Sequence, residues 1–218
     1  MRQFDFYEFT GVIAPGVVTL FGVGILFTEL GKRLQGQDLT VGDFGLFLVL
    51  AYVAGHLVQA LGNALEWAWW KAWGGWPTDW PRMGTRKLLS DPQREQLRSR
   101  VAALLALPEG GDPFQLDKNS WVAVVRQVDA AVQPAELRKP IETANGNYGL
   151  NRGIAASLFA LAMLTLLSRG CEGWLPTLLL VTGAFVCLFR MHRFGRQYGQ
   201  KLFVQFLAVG EPEGSQGQ

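Results

Sequence analysis

A row of polar side chains inside a membrane-length apolar helix is the feature that most constrains this chain. Residues 43–70 are predicted to form one long helix, in which successive side chains are rotated by about 100°. On that spacing five polar side chains share an arc of roughly 80°: Tyr52, His56, Gln59, Asn63 and Glu66. Lipid tails cannot hydrogen-bond with an imidazole, an amide or a carboxyl group. This row, here called the polar seam, must therefore face protein, water or an ion path.

The composition around the seam is typical of a membrane protein. The chain has 218 residues, of which 49% are hydrophobic and only 17% are charged. Four charge-poor stretches approach the ~20 residues that cross a bilayer: 11–30, 44–70, 150–167 and 174–189. The sequence therefore predicts an all-α, polytopic membrane protein with four transmembrane helices and a small helical cytoplasmic domain.

The predicted organisation alternates membrane and cytoplasmic segments. The segments are 1–70, an amino-terminal interfacial segment with helices 1 and 2; 71–147, the cytoplasmic domain; 148–190, helices 3 and 4; 191–210, a basic amphipathic cytoplasmic helix; and 211–218, a disordered tail. With four spans, 17 Lys and Arg residues fall on the side of both termini and three fall opposite. The positive-inside rule then predicts that both termini and the region between the second and third helices lie in the cytoplasm.

The predicted cytoplasmic domain is built from short helices. Ser90 or Asp91 is expected to start the first helix, because either side chain can cap a helix and Pro92, which follows, suits the first helical turn. A second helix is expected over 121–132. A third short piece over 135–139 is expected to end at Pro140.

A strip of small residues lies beside the polar seam. Ala51, Gly55 and Gly62 share one arc, where another helix backbone can approach closely. Two interpretations of the seam follow. In the first, its side chains bond across helices and Glu66 sits at the interface. In the second, copies of this helix line a conduction path, with His56 as a titratable constriction and Glu66 as an acidic ring at the cytoplasmic mouth.

The turn expected at 147–153 carries another charge close to the membrane. Arg152 is expected to snorkel to a lipid phosphate, with pairing to Glu66 across the bundle as the alternative.

Basic and aromatic residues follow the second predicted span. Six of the eight tryptophans lie within 67–80, and these are expected to form an aromatic belt or, with the arginines that follow, a surface for stacked bases and phosphates. The amphipathic helix adds a second basic face. This helix is expected to lie along anionic headgroups or to pack beside the same helix of neighbouring subunits, and the alternative is a cytoplasmic collar whose basic face binds an anionic ligand. The candidate ligand-binding residues are Arg82, Arg86, Lys87, Arg94, Arg98, Arg190, Arg193, Arg196 and Lys201.

Four segments resemble a known family: YEFTGVIAPGVVTL (7–20), GHLVQALGNALE (55–66), YGLNRGIAA (148–156) and RMHRFGRQYGQKLFVQFL (190–207). They are similar to segments of the small membrane effectors of bacterial anti-phage defence loci, in particular the channel-forming effectors of Hailong systems. The resemblance implies a homo-oligomeric channel held shut by single-stranded DNA oligomers that a partner nucleotidyltransferase makes. It assigns no ligand contacts to individual residues.

These observations lead to one functional hypothesis and two alternatives. The hypothesis is a ligand-gated ion channel, a homo-oligomer and in particular a tetramer, whose basic cytoplasmic region senses a nucleotide or a single-stranded oligonucleotide. The alternatives are a receptor or scaffold that signals to a soluble partner and a membrane-embedded hydrolase that uses His56 and Glu66. Those two residues are about 15 Å apart along one helix, and the common enzyme motifs are absent. We therefore expect no catalytic residues, no cofactor and no metal.

Overall fold

The computed structural model describes residues 9–27, 41–108, 110–132 and 135–209. These residues form helices, turns and short irregular segments and include no strand, which confirms the all-α class. The predicted interfacial segment before residue 9 and the predicted disordered tail at 211–218 lie outside the described residues, as does most of the connection after the first apolar helix.

Seven α-helices in the described part of the chain are numbered here in chain order. They are α1 Ala14–Leu26, α2 Val41–Ala72, α3 Trp80–Met83, α4 Asp91–Leu104, α5 Lys118–Ala131, α6 Ala135–Arg169 and α7 Trp174–Ala208. A π-helical turn, Phe9–Ile13, precedes α1, and a 3-10 turn, Gly170–Gly173, joins α6 to α7.

Two helical runs are long and apolar enough to cross a membrane. These are Gly42–Ala72 and Glu136–Ala208, and a shorter apolar helix covers Gly11–Leu26. Of the 18 most apolar consecutive residues of the first run, only 17% are buried within the chain. Large apolar side chains such as Val53 and Leu57 are instead exposed, whereas the core helix of a water-soluble domain buries such a face.

The chain divides into two compact units. Unit 1 contains the residues up to Trp69 together with Asn145–Phe194, and unit 2 contains Trp70–Ala144 and the residues from Gly195 on.

Unit 1 is packed through small residues. A Cβ added at Gly16 would overlap the backbone of Ala51, and one added at Gly55 would overlap the carbonyl oxygen of Val12. The predicted strip of small residues is thus a helix contact, and its partner is another helix of the same chain. A Cβ at Gly153 would likewise overlap the ring of Pro15, so that α1 fits against α6 as well as α2.

Helices α6 and α7 run antiparallel within unit 1. Phe159 packs edge-on against Phe185 with 5.9 Å between ring centroids, and the Arg190 Nε donates to the Asn151 Oδ1 over 3.2 Å. In both pairs the residue of α6 lies about as far before the turn Gly170–Gly173 as its partner in α7 lies after it, as expected for a hairpin. The long apolar run Glu136–Ala208 therefore consists of two helices lying side by side.

Unit 2 has a tryptophan-rich core. Trp70, Trp80 and Trp121 are almost completely buried, together with Phe203 from α7. The indole N–H of Trp121 donates to the Thr78 carbonyl oxygen over 2.9 Å, and the rings of Trp121 and Phe203 lie 6.5 Å apart. The apolar side of the carboxyl-terminal helix is therefore used inside unit 2, and the expectation that it lies along headgroups is wrong.

Local signals explain where the short helices of unit 2 begin. Ser90 caps α4 in a capping box with Gln93, which confirms the helix start expected at Ser90 or Asp91. Asp117 caps α5 by accepting from the backbone N–H groups of Asn119 and Ser120. The hydroxyl and backbone N–H of Ser120, with that of Asn119, lower the pKa of Asp117 below its ordinary value.

The expected break at Pro140 and the expected turn at 147–153 are both wrong. Helix α6 continues through them from Ala135 to Arg169. Pro140 removes one backbone hydrogen bond near the start of the helix, while the next residue, Ile141, and Ala144, one turn further on, are both buried. Tertiary burial here outweighs one lost hydrogen bond.

Candidate functional site

The polar seam is divided between the interior and the surface of unit 1. Gln59 and Glu66 bond to other helices of the same chain, and Glu66 is buried. Tyr52, His56 and Asn63 are exposed. The exposed three lie along one edge of α2, next to the small residues that contact α1.

Glu66 is the acidic member of a buried charge pair. The Arg152 Nη1 donates to its Oε2 over 2.7 Å, and the Tyr148 hydroxyl donates to its Oε1. The Glu66 and Arg152 side chains are 7% and 13% exposed. A carboxylate removed from water requires this kind of compensation, because an isolated buried charge is strongly destabilising. Arg152 therefore pairs with Glu66, and the expectation that it snorkels to a lipid phosphate is wrong.

Gln59 compensates for a proline in α1. Pro15 has no N–H to donate to the carbonyl oxygen four residues earlier, which belongs to Gly11. The Gln59 Nε2 donates to that oxygen over 3.2 Å. The Pro15 carbonyl oxygen accepts from the hydroxyl of the buried Ser157 over 2.9 Å. The Thr19 hydroxyl donates to the same Pro15 oxygen over 3.0 Å. In an apolar surrounding the bond from Gln59 supplies a donor to the backbone oxygen that the missing N–H of Pro15 leaves without its usual one.

The exposed part of the seam has no such partner in the described chain. Tyr52 and His56 touch edge to face, with ring centroids 4.5 Å apart. Among the residues that the structure describes, neither ring nor the Asn63 amide hydrogen-bonds with another group. Chemically this edge offers an imidazole, a phenol and an amide to water, to ions or to another subunit.

The nine candidate ligand-binding residues have very different surroundings. Arg190 and Arg193 belong to unit 1, where Arg190 is bonded to Asn151 and Arg193 is exposed. The other seven belong to unit 2.

Four of those seven are bonded to the protein itself. The Arg82 Nη1 donates to the Leu116 carbonyl oxygen over 2.8 Å, and the Arg94 Nε donates to that of Pro81 over 2.7 Å. The Lys201 Nζ donates to the Pro140 carbonyl oxygen over 3.3 Å. Arg98 forms an ion pair with Asp112 at 2.8 Å.

The remaining three cations of unit 2 are exposed. Lys87 lies 3.6 Å from the carboxylate of Asp91, an exposed pair that contributes little energy. The guanidinium of Arg86 lies over the rings of Trp73 and Trp80 at 4.9 and 5.5 Å, and that of Arg196 lies 6.0 Å from the Trp80 ring. Only Arg86 and Arg196, of the nine, contact a common ring.

Besides Asp117, two acidic groups in unit 2 have shifted pKa values, and the causes of the two shifts differ. Desolvation raises the pKa of Asp112, but the hydrogen bonds from the Phe114 N–H and Arg98, with the charge of Arg98, outweigh it and leave the pKa lowered. Burial raises the pKa of Asp79 above its ordinary value, although Arg82 and Lys118 act against the shift. Burial thus explains the pKa shift of Asp79, and hydrogen bonds with the charge of Arg98 explain that of Asp112.

Two members of the tryptophan cluster differ from both sequence expectations. Trp70 and Trp80 are buried and lie 6.1 Å apart, while Trp67 is 60% exposed. A buried ring can neither reach headgroups nor stack on a base, so neither Trp70 nor Trp80 belongs to an aromatic belt or a stacking surface.

Sequence reasoning did not assign the structural roles of Tyr148, Asn151 and Arg100, although Arg100 belongs to the basic run that follows the second predicted span. Tyr148 and Asn151 support Glu66 and Arg190, and Arg100 donates to the carbonyl oxygens of Phe206, Leu207 and Val209 at the end of α7. The charges in α2 and α6 were a signal, since charged side chains in apolar helices need partners.

Among the described residues, no group of three or more His, Cys, Asp or Glu side chains is placed to hold a metal ion.

Comparisons of the chain with protein-family models, with curated proteins and with solved structures found no match.

Proposed function

We propose that this protein is the subunit of a homo-oligomeric ion channel in the bacterial inner membrane, a ligand-gated effector of anti-phage defence. The observation that carries the proposal is the exposed edge of α2. Tyr52, His56 and Asn63 lie on a membrane-length helix, and no described group of the same chain hydrogen-bonds with them. In a bilayer these groups need water or another subunit.

The channel requires several copies around an axis, because the helices of one chain are too few to enclose a wide aqueous path. A tetramer is the proposed assembly. Each subunit contributes four crossings, formed by α1, α2 and the membrane parts of α6 and α7. The fold-back at Gly170–Gly173 supports this count, since it turns one long apolar run into two antiparallel segments.

The polar lining in this proposal contains fewer residues than the five-residue polar seam. Gln59 and Glu66 are bonded inside each subunit, so the groups offered to the axis are Tyr52, His56 and Asn63. The imidazole of His56 lies between the other two along α2 and forms the proposed constriction. Glu66 acts through Arg152 and Tyr148 as part of the subunit interior rather than as an open acidic ring.

Gating is proposed to depend on the basic cytoplasmic region, which senses a nucleotide or a single-stranded oligonucleotide made by a partner nucleotidyltransferase. The support is the excess of Lys and Arg between 71 and 152 and between 190 and 201, together with the resemblance to defence effectors. Channel opening then depolarises the infected cell.

Ion flux through reconstituted protein tests the channel. In liposomes loaded with a potential-sensitive dye, the double variant His56→Leu with Asn63→Leu is expected to reduce flux at least tenfold, because apolar side chains dewet the axis. The matched control is Ala64→Leu, which introduces the same side chain at an exposed position about 100° around the helix from Asn63. It is expected to keep flux near that of the unmodified protein.

Two outcomes would contradict the channel. Unmodified protein that is monomeric in detergent and gives no flux favours a receptor or scaffold. Equal flux from the unmodified protein and from the double variant removes these residues from the path. Loss of a hydrolytic activity in His56→Ala, with assembly intact, would instead support the membrane-embedded hydrolase.

A further inference from the structure

Two arginines in unit 2 form a positively charged site around one buried indole. The Arg86 guanidinium lies over the faces of both Trp73 and Trp80, and the Arg196 guanidinium lies against Trp80. Both arginines are exposed, whereas Trp80 is 1% exposed. The indole therefore fixes two charged groups whose outer sides face solvent.

The sequence brings these residues together through local structure and one close helix contact. Gly84 ends the short helix α3 in a left-handed conformation, with φ of 65°, and the chain then turns to present Arg86. Gly199 of α7 is buried, and a Cβ there would lie 3.3 Å from Leu88 and 3.4 Å from Pro77. This contact places Arg196, one turn earlier in α7, beside Trp80.

The donors of both arginines remain available. Contact with an aromatic ring uses the face of a guanidinium and leaves its N–H groups in the plane free to bond. In the described residues no carboxylate lies within ion-pair distance of Arg86 or Arg196, and no backbone oxygen accepts from either. By contrast, Arg94 donates to a carbonyl oxygen and Arg98 to a carboxylate.

We propose that Arg86 and Arg196 form a phosphate-binding site that recognises the backbone of a phosphate-bearing ligand and does not read its bases. Guanidinium groups suit phosphate because paired N–H donors match two phosphate oxygens. Two arginines on one ring suit a ligand with more than one phosphate.

The tryptophan rings around the two arginines already contact other side chains. The arginines cover Trp73 and Trp80, and Trp70 is buried against Trp80 and beside Trp76. A ligand that binds this site is therefore held by charge and by phosphate hydrogen bonds. This inference rests on the proposed function for the gating role of the ligand but not for the binding itself.

Binding to the full chain in phosphatidylcholine nanodiscs tests the site, with a fluorescent abasic deoxyribose-phosphate oligomer as the probe. Arg86→Gln and Arg196→Gln are each expected to weaken binding about tenfold. Each is also expected to lower the slope of log affinity against log salt by about 0.7. The matched control is Arg126→Gln, which removes an exposed arginine of the same unit outside the cluster. A nucleoside without phosphate is expected not to compete.

Two further experiments distinguish a lipid phosphate from a soluble one and control for misfolding of the variants. Nanodiscs with phosphatidylglycerol distinguish a lipid ligand, because the soluble oligomer then binds weakly while Arg86→Gln reduces retention of the anionic lipid. Arg86→Lys keeps the charge but loses the paired donors, and is expected to bind more weakly than the unmodified protein while eluting at the same size.

Three results would overturn the site: equal losses in Arg86→Gln and Arg126→Gln, strong competition by the nucleoside, or unchanged binding of both phosphate sources in the two variants. The channel can fail independently. Absent ion flux with a binding loss specific to Arg86 and Arg196 removes the channel and leaves the phosphate site standing.

Discussion

Glu66 and Arg152 show how a charge in an apolar helix is accommodated. The pair is almost completely buried, and Tyr148 supplies a further hydrogen bond to the same carboxylate. Removing one member leaves the other charged without its counter-ion, whereas removing both leaves no charge to compensate. The two situations therefore have different consequences for stability.

Glu66→Gln is expected to lower the free energy of unfolding by about 3 kcal/mol or more, because Arg152 loses its counter-charge while buried. The double variant Glu66→Met with Arg152→Met is expected to recover most of the loss. Tyr148→Phe removes one hydrogen bond and serves as a mild control, with a decrease of about 1 kcal/mol. Thermal unfolding in detergent measures all three, and a double variant no more stable than Glu66→Gln would argue against the pair.

Helix packing in unit 1 depends on close backbone approach at particular glycines. Gly55 of α2 faces Val12, and Gly16 of α1 faces Ala51, so that neither position has room for a methyl group. Gly45, earlier in the same helix α2, has no atom within 4 Å of a Cβ added there. One helix thus offers a glycine that is needed for packing and one that is not.

Gly55→Ala is expected to destabilise the protein by about 1–3 kcal/mol, because α1 and α2 must move apart. Gly45→Ala is expected to stabilise it by about 0.5–1 kcal/mol, since alanine is the better helix former and meets no neighbour. The midpoints of thermal unfolding in the same detergent give both values. Two changes of the same sign would mean that this helix contact does not depend on Gly55.

The hairpin formed by α6 and α7 allows a test of the arrangement in the membrane that we propose for this protein. Its turn, Gly170–Gly173, carries the exposed Cys171, while the other cysteine, Cys187, is partly buried in α7. With both termini in the cytoplasm, four crossings place this turn on the outer side. With only two crossings formed by α6 and α7, it would still lie opposite the basic region.

Cysteine labelling from outside the cell tests this arrangement. An impermeant maleimide is expected to label Cys171 in cells with a permeabilised outer membrane, and Cys171→Ser is expected to remove the label. A second variant places a cysteine at Ser99 on the exposed side of α4 in the Cys171→Ser background. That cysteine is expected to react only after lysis, and labelling of both sites from the same side would refute the proposed orientation.

The sequence by itself determined the helical class, the apolar runs and the short helix starts. These depend on local properties: the spacing of apolar residues along a helix and side chains such as Ser90 that bond to the nearest backbone N–H groups. It also identified the small residues of α2 as a contact surface. The expected break at Pro140 failed because one lost hydrogen bond is local, whereas burial of the following turn depends on the rest of the chain.

Only the tertiary structure decided which polar residues are used inside the chain. Helical spacing placed Gln59, Glu66 and His56 on one arc, but the chain supplies partners from distant positions to the first two and none among the described residues to the third. The same holds for the basic residues. Arg94 and Arg98 bond to a carbonyl oxygen and a carboxylate, whereas Arg86 and Arg196 both lie against the Trp80 ring. A helical period fixes direction around one axis, but the neighbour that lies in that direction is set by how the helices pack.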